Sequence, residues 1–213
     1  MHAARAGSAP DGGAGGAGGA GGAGGSGIDR VFTGIIQDVG RVYVQAFDVA
    51  LESWHGVPQS LCVFAPTCGS ALVVEHNGDV YSCDHFVYPD NRLGNLMQKS
   101  LDSLVTSPQQ TRFGNNKSLG LPSDCRECDV RFACNGECPK HRFTKTAAGE
   151  YGLNYLCAGY KHFFHHIDPY MRFMSEELKQ DRAPARVMEW AKANGPLRAG
   201  AASRRSAHAP ALV

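Results

Sequence analysis

The sequence lacks a long apolar run, and it lacks an excess of charge of either sign. Its 213 residues include 21 basic and 20 acidic side chains, which gives a formal net charge of +1. A charge so close to zero gives no reason to expect binding to nucleic acid or to an acidic membrane surface. A transmembrane helix needs about 20 consecutive apolar residues, and no run approaches that length. We therefore expect neither nucleic acid nor a membrane among the partners.

Large apolar side chains are scarce at both ends of the chain. Residues 1–27 are mostly Gly and Ala, and residues 193–213 are mainly Ala, Arg, Ser and Pro. Such segments bury too little surface to offset the conformational entropy lost on folding, so we predict that both are disordered. About 165 residues remain between them, enough for one domain. The first segment has no continuous apolar core of the kind a secretory signal needs, and we expect a cytoplasmic protein.

Cysteine is the residue that the middle of the chain has in abundance. The eight are Cys62, Cys68, Cys83, Cys125, Cys128, Cys134, Cys138 and Cys157. Four thiolates are the ligand set of one [4Fe–4S] cluster or of one structural zinc, so eight predict two metal centres. Disulfides are the alternative, but the missing secretory signal and the tight Cys-x2-Cys spacing favour metal. Spacing alone leaves open which cysteines share a centre and whether the metal is iron or zinc.

Hydrophobic spacing predicts a mixture of helices and short strands. Asn77-Gly78 lies between two β-rich runs and predicts a hairpin over residues 71–83 with a type I′ turn, which would place Cys83 at a strand end. Helices are predicted over residues 29–39, 47–54, 98–105 and 108–115, with one long helix or two within residues 160–192. Extended segments are predicted over residues 41–45 and 93–97.

The segments that carry the cysteines resemble a known family. The hairpin and the spacings Cys62-x5-Cys68-x14-Cys83 and Cys125-x2-Cys128-x5-Cys134-x3-Cys138, followed by Cys157, look like the SPASM domain of radical S-adenosylmethionine enzymes. Residues 40–48, 62–69 and 81–89 more closely resemble the anaerobic sulfatase-maturating enzymes. The resemblance covers about residues 28–192.

The resemblance implies a function and a set of site residues. Those enzymes oxidise a cysteine or serine of a sulfatase polypeptide to Cα-formylglycine, with a radical cluster in a separate barrel domain and two auxiliary [4Fe–4S] clusters in the SPASM domain. One auxiliary cluster would be held by Cys62, Cys68, Cys83 and Cys138, and the other by Cys125, Cys128, Cys134 and Cys157. Asp84, the acid directly after the third cysteine, would be the general base that takes the proton of the substrate thiol or hydroxyl.

The first part of the sequence departs from this family. The radical cluster needs a Cys-x3-Cys-x2-Cys motif, and no cysteine occurs before Cys62. We therefore expect the chain to be inactive alone, as a severed or misassembled part of a maturase. S-adenosylmethionine and the third cluster would belong to the complete family enzyme, and a separate radical barrel is conceivable as a partner.

The expected architecture is α+β. Residues 28–60 would be the end of a radical barrel, and residues 61–192 a small SPASM-type domain with a β-hairpin, cysteine-rich cluster loops and flanking helices. Two other functions remain open at this point. One is a zinc-stabilised interaction domain without a redox role, and the other is the SPASM module of a different peptide-modifying radical enzyme.

Overall fold

A computed structural model describes residues 27–69 and 71–196. The helices are α1 Gly27–Gln37, α2 Gln45–His55, α3 Leu101–Val105, α4 Pro108–Leu119, α5 Ser123–Arg126, α6 Arg131–Cys134, α7 Cys157–Lys179 and α8 Val187–Asn194. The strands are β1 Val73–Val74, β2 Asp79–Tyr81, β3 Arg92–Asn95, β4 Thr144–Lys145 and β5 Tyr151–Leu153. The predicted α+β class is confirmed. The predicted disorder of residues 1–27 and 193–213 falls almost entirely outside the described residues and stays a prediction.

The larger core forms where α7 packs against α1, α2 and α8. Its most deeply buried side chains on α7 are Phe164, Ile167, Tyr170 and Met171. Their spacing of three, three and one residues places them on one face of a helix. α7 continues through Pro169 to Lys179, and α8 follows Pro184, so of the two alternatives predicted for residues 160–192 the structure shows two helices. Within residues 27–69 and 71–196, no helix has the length and apolar character needed to cross a membrane.

A smaller core lies beneath a three-stranded antiparallel sheet in the order β1-β2-β3. Val80, on the central strand, is fully buried against Leu93 and Leu104. The register pairs Val74 with Val80 and Val80 with Gly94. Strands β4 and β5 form a separate antiparallel ribbon, which was not predicted from the sequence.

The predicted hairpin is present, but its turn is not of type I′. A type I′ turn needs positive φ at both central residues. Gly78 has φ 84°, and Asn77 is not among the described residues with positive φ. The Gly78 N–H donates to the Glu75 carbonyl at 2.9 Å, and the Glu75 N–H donates to the Asp79 backbone carbonyl at 2.8 Å. The loop is therefore one residue longer than predicted, with Gly78 in the left-handed position that such loops require.

Residues 41–45 do not form the predicted strand. The N–H groups of Arg41 and Val42 each donate to the Asp38 carbonyl at 2.8 Å, and Gly40 has φ 77°, so the chain closes α1 with a turn. A strand is stable only beside another strand, and none lies next to this segment in the described part of the chain. The β-forming residues of this segment therefore do not form a strand, because the described part of the chain places no strand beside them.

Candidate metal centres

All eight cysteines are free thiols and lie on loops or in short helices and helix ends. Cys62 and Cys68 follow α2, Cys83 follows β2, Cys125 lies in α5, Cys128 follows α5, Cys134 ends α6, Cys138 follows α6 and Cys157 begins α7. Their segments are far apart in sequence. The fold decides which sulfurs meet.

Four thiols are linked by their influence on one another's pKa, and we name them the first thiol set, which consists of Cys62, Cys68, Cys83 and Cys138. Burial raises the pKa of the Cys68 thiol, and the negative charges of Cys138 and Cys62 raise it further. Burial also raises the pKa of Cys83, to about 11, and the charge of Cys138 again contributes. Repulsion between thiolates falls off with distance, so these sulfurs lie near one another.

The other four thiols form the second thiol set, which consists of Cys125, Cys128, Cys134 and Cys157. Burial raises the pKa of Cys134 to about 12, and the charges of the other three thiols add to this shift. An open cavity of about 460 Å³ is lined by Cys128 and Cys157. The thiols that influence one another's pKa fall into the same two groups of four as the resemblance implies, and the ligand sets themselves stay a prediction. The assignment of a cluster to each set remains a prediction.

Backbone N–H groups approach the sulfurs in both sets. Burial raises the pKa of the Cys83, Cys134 and Cys138 thiols, and in each case a backbone hydrogen bond from the residue two positions later opposes this shift. Hydrogen bonds to sulfur stabilise thiolates and tune the reduction potential of iron–sulfur clusters. The donor set therefore fits a group that is bound through thiolates.

A left-handed turn separates the two sets at Cys134 and Cys138. Asn135, Gly136 and Glu137 have φ values of 47°, 70° and 57°. The Glu137 N–H donates to the Cys134 carbonyl at 2.8 Å, so the backbone makes a tight left-handed turn between Cys134, in the second set, and Cys138, in the first. A Cβ on Gly136 would lie 2.3 Å from the Leu121 side chain, which explains why glycine occupies this position.

Two cations, Lys117 and Arg142, lie beside the thiols, and neither was predicted as a site residue. Lys117 is fully buried, and its Nζ donates to the carbonyl oxygens of Cys62 at 2.6 Å and Val63 at 2.9 Å. Burial lowers the pKa of Lys117 and of Arg142, and in both cases the charge of the Cys68 thiolate opposes this. Both cations reach the thiols only through tertiary packing, so the sequence offers no local signal for them.

Asp84 lies next to the first thiol set and is exposed. Its Oδ1 accepts from the Cys83 thiol at 3.1 Å and from the His85 N–H at 2.9 Å. The hydrogen bond from Cys83 lowers the pKa of the Asp84 carboxyl. β2 ends at Tyr81 and a 3₁₀ turn begins at Asp84, so Cys83 lies two residues beyond the end of the strand. His85 Nδ1 lies 3.6 Å from the sulfur of Cys138.

Residues 62–129 match the family model of the SPASM domain, described as an iron–sulfur cluster-binding domain. Over 153 residues the chain is 52% identical to a serine-type anaerobic sulfatase-maturating enzyme of Bacteroides thetaiotaomicron; the match covers 72% of this chain and 37% of that enzyme. A cysteine-type enzyme of Clostridium perfringens is 31% identical over 139 residues, which cover 65% of this chain and 37% of the relative. The chain thus spans little more than a third of the length of these relatives.

Solved structures give the same result. The structure described as anSMEcpe with bound AdoMet superposes with a TM-score of 0.60 at 28% identity, covering 76% of this chain and 42% of that chain. The same protein with bound AdoMet and the Kp18Cys peptide superposes with a TM-score of 0.60 at 29% identity, covering 70% of this chain and 42% of that chain. Sequence and fold therefore both relate the chain to one part of these enzymes.

Proposed function

The chain carries a SPASM domain of the anaerobic sulfatase-maturating type, and we propose that it is the auxiliary module of such an enzyme, with two [4Fe–4S] clusters. Iron–sulfur binding is the function of the matched domain. The observation that supports two clusters is the grouping of eight thiols into two sets of four. Four thiolates are the usual ligand set of one [4Fe–4S] cluster.

In this proposal each thiol set holds one cluster. Bound clusters would supply one-electron transfer at a potential set by burial and by hydrogen bonds to sulfur. The backbone donors at Cys83, Cys134 and Cys138 support this assignment, since they favour thiolates. The fixed cations Lys117 and Arg142 also favour an anionic occupant.

The proposed reaction is the oxidation of a cysteine or serine of a sulfatase polypeptide to Cα-formylglycine. The substrate thiol or hydroxyl loses its proton as its carbon is oxidised, and Asp84 is the base proposed to accept that proton. The exposure of Asp84 beside the first thiol set supports this role. Related structures with bound peptides support a peptide substrate.

The radical-generating part is proposed to belong to a barrel domain. In this reading residues 28–60 are the end of that barrel and residues 61–192 are the SPASM domain. The helices α1 and α2 share one core with α7, so the two segments pack as one body. The sequence contains no Cys-x3-Cys-x2-Cys motif, and the barrel must therefore be supplied for an activity assay.

Two cysteine variants of the full chain test the cluster assignment. Cys62→Ala and Cys128→Ala remove one thiol each from the first and the second set. After purification and reconstitution without oxygen, each variant should hold about four irons and the double variant almost none, against about eight in the wild type. Mössbauer spectra would show whether the remaining iron is in a [4Fe–4S] cluster. Loss of all iron in both single variants would contradict two separate centres.

A second experiment tests Asp84. The chain would be joined to the barrel of the Bacteroides thetaiotaomicron relative and assayed on a sulfatase peptide by mass spectrometry. Asp84→Asn should retain the iron content of the wild type and lose formylglycine formation by about 100-fold or more, the usual range for a general base. Asp129→Asn serves as the matched control, because Asp129 directly follows a cysteine of the second set. Equal activity of Asp84→Asn and the wild type would remove the proposed base.

A further inference from the structure

The guanidinium of Arg142 is held by four backbone carbonyl groups. Nε donates to Gly136 at 2.9 Å, Nη1 to Lys117 at 2.6 Å, and Nη2 to Asn135 and Glu137, both at 2.9 Å. Three of these carbonyls belong to the left-handed turn between Cys134 and Cys138. The position of the charge is therefore fixed by the same turn that separates the two thiol sets.

Arg142 has no carboxylate partner among the described residues. Its side chain is partly buried and forms none of the ion pairs found in residues 27–69 and 71–196. Removing a cation from water is unfavourable unless other groups compensate. The four carbonyl dipoles compensate in part, and thiolates bound to a cluster would add negative charge nearby.

Arg142 is anchored next to a cysteine of each set, because the Asn135 carbonyl directly follows Cys134 and the Glu137 carbonyl directly precedes Cys138. Burial lowers the pKa of Arg142, and the thiolate charges of Cys125, Cys68, Cys134 and Cys138 oppose this shift. Lys117 is anchored elsewhere, because its Nζ donates to the carbonyl of Cys62, a member of the first set, and to the carbonyl of Val63. The backbone anchors thus place one cation next to a cysteine of each set and the other next to a cysteine of the first set.

We propose that Arg142 is a shared positioning charge that raises the reduction potentials of both clusters, while Lys117 raises that of the first cluster alone. This inference rests on the proposed function, since it requires a cluster in each thiol set. Reduction adds one negative charge to a cluster, and a fixed cation nearby stabilises the reduced form more than the oxidised form. The four carbonyls keep that cation at the turn that joins Cys134 to Cys138.

The test is an EPR-monitored redox titration of the reconstituted full chain. Arg142→Gln should make reduction of both clusters about tenfold less favourable, which for a one-electron couple lowers each potential by about 59 mV. Lys117→Gln should lower only the potential of the first cluster. The Cys62→Ala and Cys128→Ala variants, each with a single remaining cluster, identify which signal belongs to which set.

Two further variants separate charge from structure. Arg142→Lys keeps the charge but has a single nitrogen, so its potentials should stay close to those of the wild type. Arg172→Gln removes an exposed arginine on α7 that pairs with Asp168 at 2.8 Å, and it should leave both potentials unchanged. A shift in Arg172→Gln as large as in Arg142→Gln would mean that only net charge matters, and would overturn the proposal.

The remaining outcomes are also decisive. Unchanged potentials in Arg142→Gln with full iron content overturn the proposal and leave the proposed function intact. If Arg142→Gln does not take up both clusters, the Arg142→Lys variant separates the two explanations. Iron content and potentials like those of the wild type in Arg142→Lys would support a charge effect. Loss of iron in Arg142→Lys as well would mean that Arg142 only stabilises the fold, and would overturn the proposal. A wild type with no iron refutes the proposed function itself.

Discussion

Gly136→Ala tests whether the left-handed turn holds both thiol sets in place. Gly136 has φ 70°, a region that costs an alanine about 1–2 kcal/mol. The new Cβ would also lie 2.3 Å from Leu121 Cδ2 and 2.9 Å from the Arg142 guanidinium. Leu121 is only 2% exposed, so it has little room to move, and overpacking of this kind costs about 1–3 kcal/mol. The total expected loss in the free energy of unfolding is about 2–5 kcal/mol.

Gly149→Ala is the matched control. Gly149 has φ 86°, but a Cβ there would have no atom within 4 Å, so only the backbone cost of about 1–2 kcal/mol applies. Urea unfolding without oxygen, followed by circular dichroism, measures both variants. With a slope of about 2 kcal/mol per M, the midpoint of Gly136→Ala should fall by about 1–2.5 M.

The same two variants should differ in iron content. Gly136→Ala displaces Cys134 and Cys138 together, so iron should be lost from both thiol sets, whereas Gly149→Ala should retain it. The reasoning is refuted if Gly136→Ala unfolds at the same urea concentration as Gly149→Ala and binds as much iron. That result would mean that the turn tolerates a side chain and does not position the sulfurs.

Three other perturbations give further tests. Met171→Ala leaves a cavity in the larger core, where Met171 is fully buried, and should lower the free energy of unfolding by about 2–5 kcal/mol in a urea titration. Hydrogen bonding from Arg182 lowers the pKa of the Glu177 carboxyl. The ionised Glu177 therefore stabilises the folded state above about pH 4.5, and this contribution is lost as pH falls through the lowered pKa. The difference in melting temperature between wild type and Glu177→Gln should therefore shrink below pH 4.5, and a constant difference would contradict this. Removal of metal by a chelator should leave a partly unfolded chain, and an unchanged cooperative melt by circular dichroism would count against it.

The sequence predicted the elements whose signal is local. The i, i+3, i+4 spacing of apolar residues found α1, α2 and α7, because each helix buries one continuous face. Asn77-Gly78 found the hairpin, although the loop length was wrong, since the same dipeptide suits turns of more than one length. The strand predicted at residues 41–45 failed because strand formation depends on a neighbour that the sequence does not reveal.

The candidate site also has features that the sequence predicted and features that it could not predict. The number and spacing of the cysteines predicted metal, and the family resemblance supplied the pairing into two sets of four. Spacing alone could not supply it, because Cys134 and Cys138 are four residues apart and lie in different sets. Lys117 could not be predicted as a site residue, because it is 55 residues from Cys62 in the sequence and contacts it only through the packing of α4.

The central claim is that the chain holds two [4Fe–4S] clusters, and metal content tests it most directly. Iron and zinc would be measured together with the visible spectrum on full-length protein purified without oxygen. The proposal predicts about eight irons per chain, little zinc and a broad brown absorbance, with four thiolates for each cluster. About two zincs per chain and no colour would contradict it and would leave a zinc-stabilised structural domain.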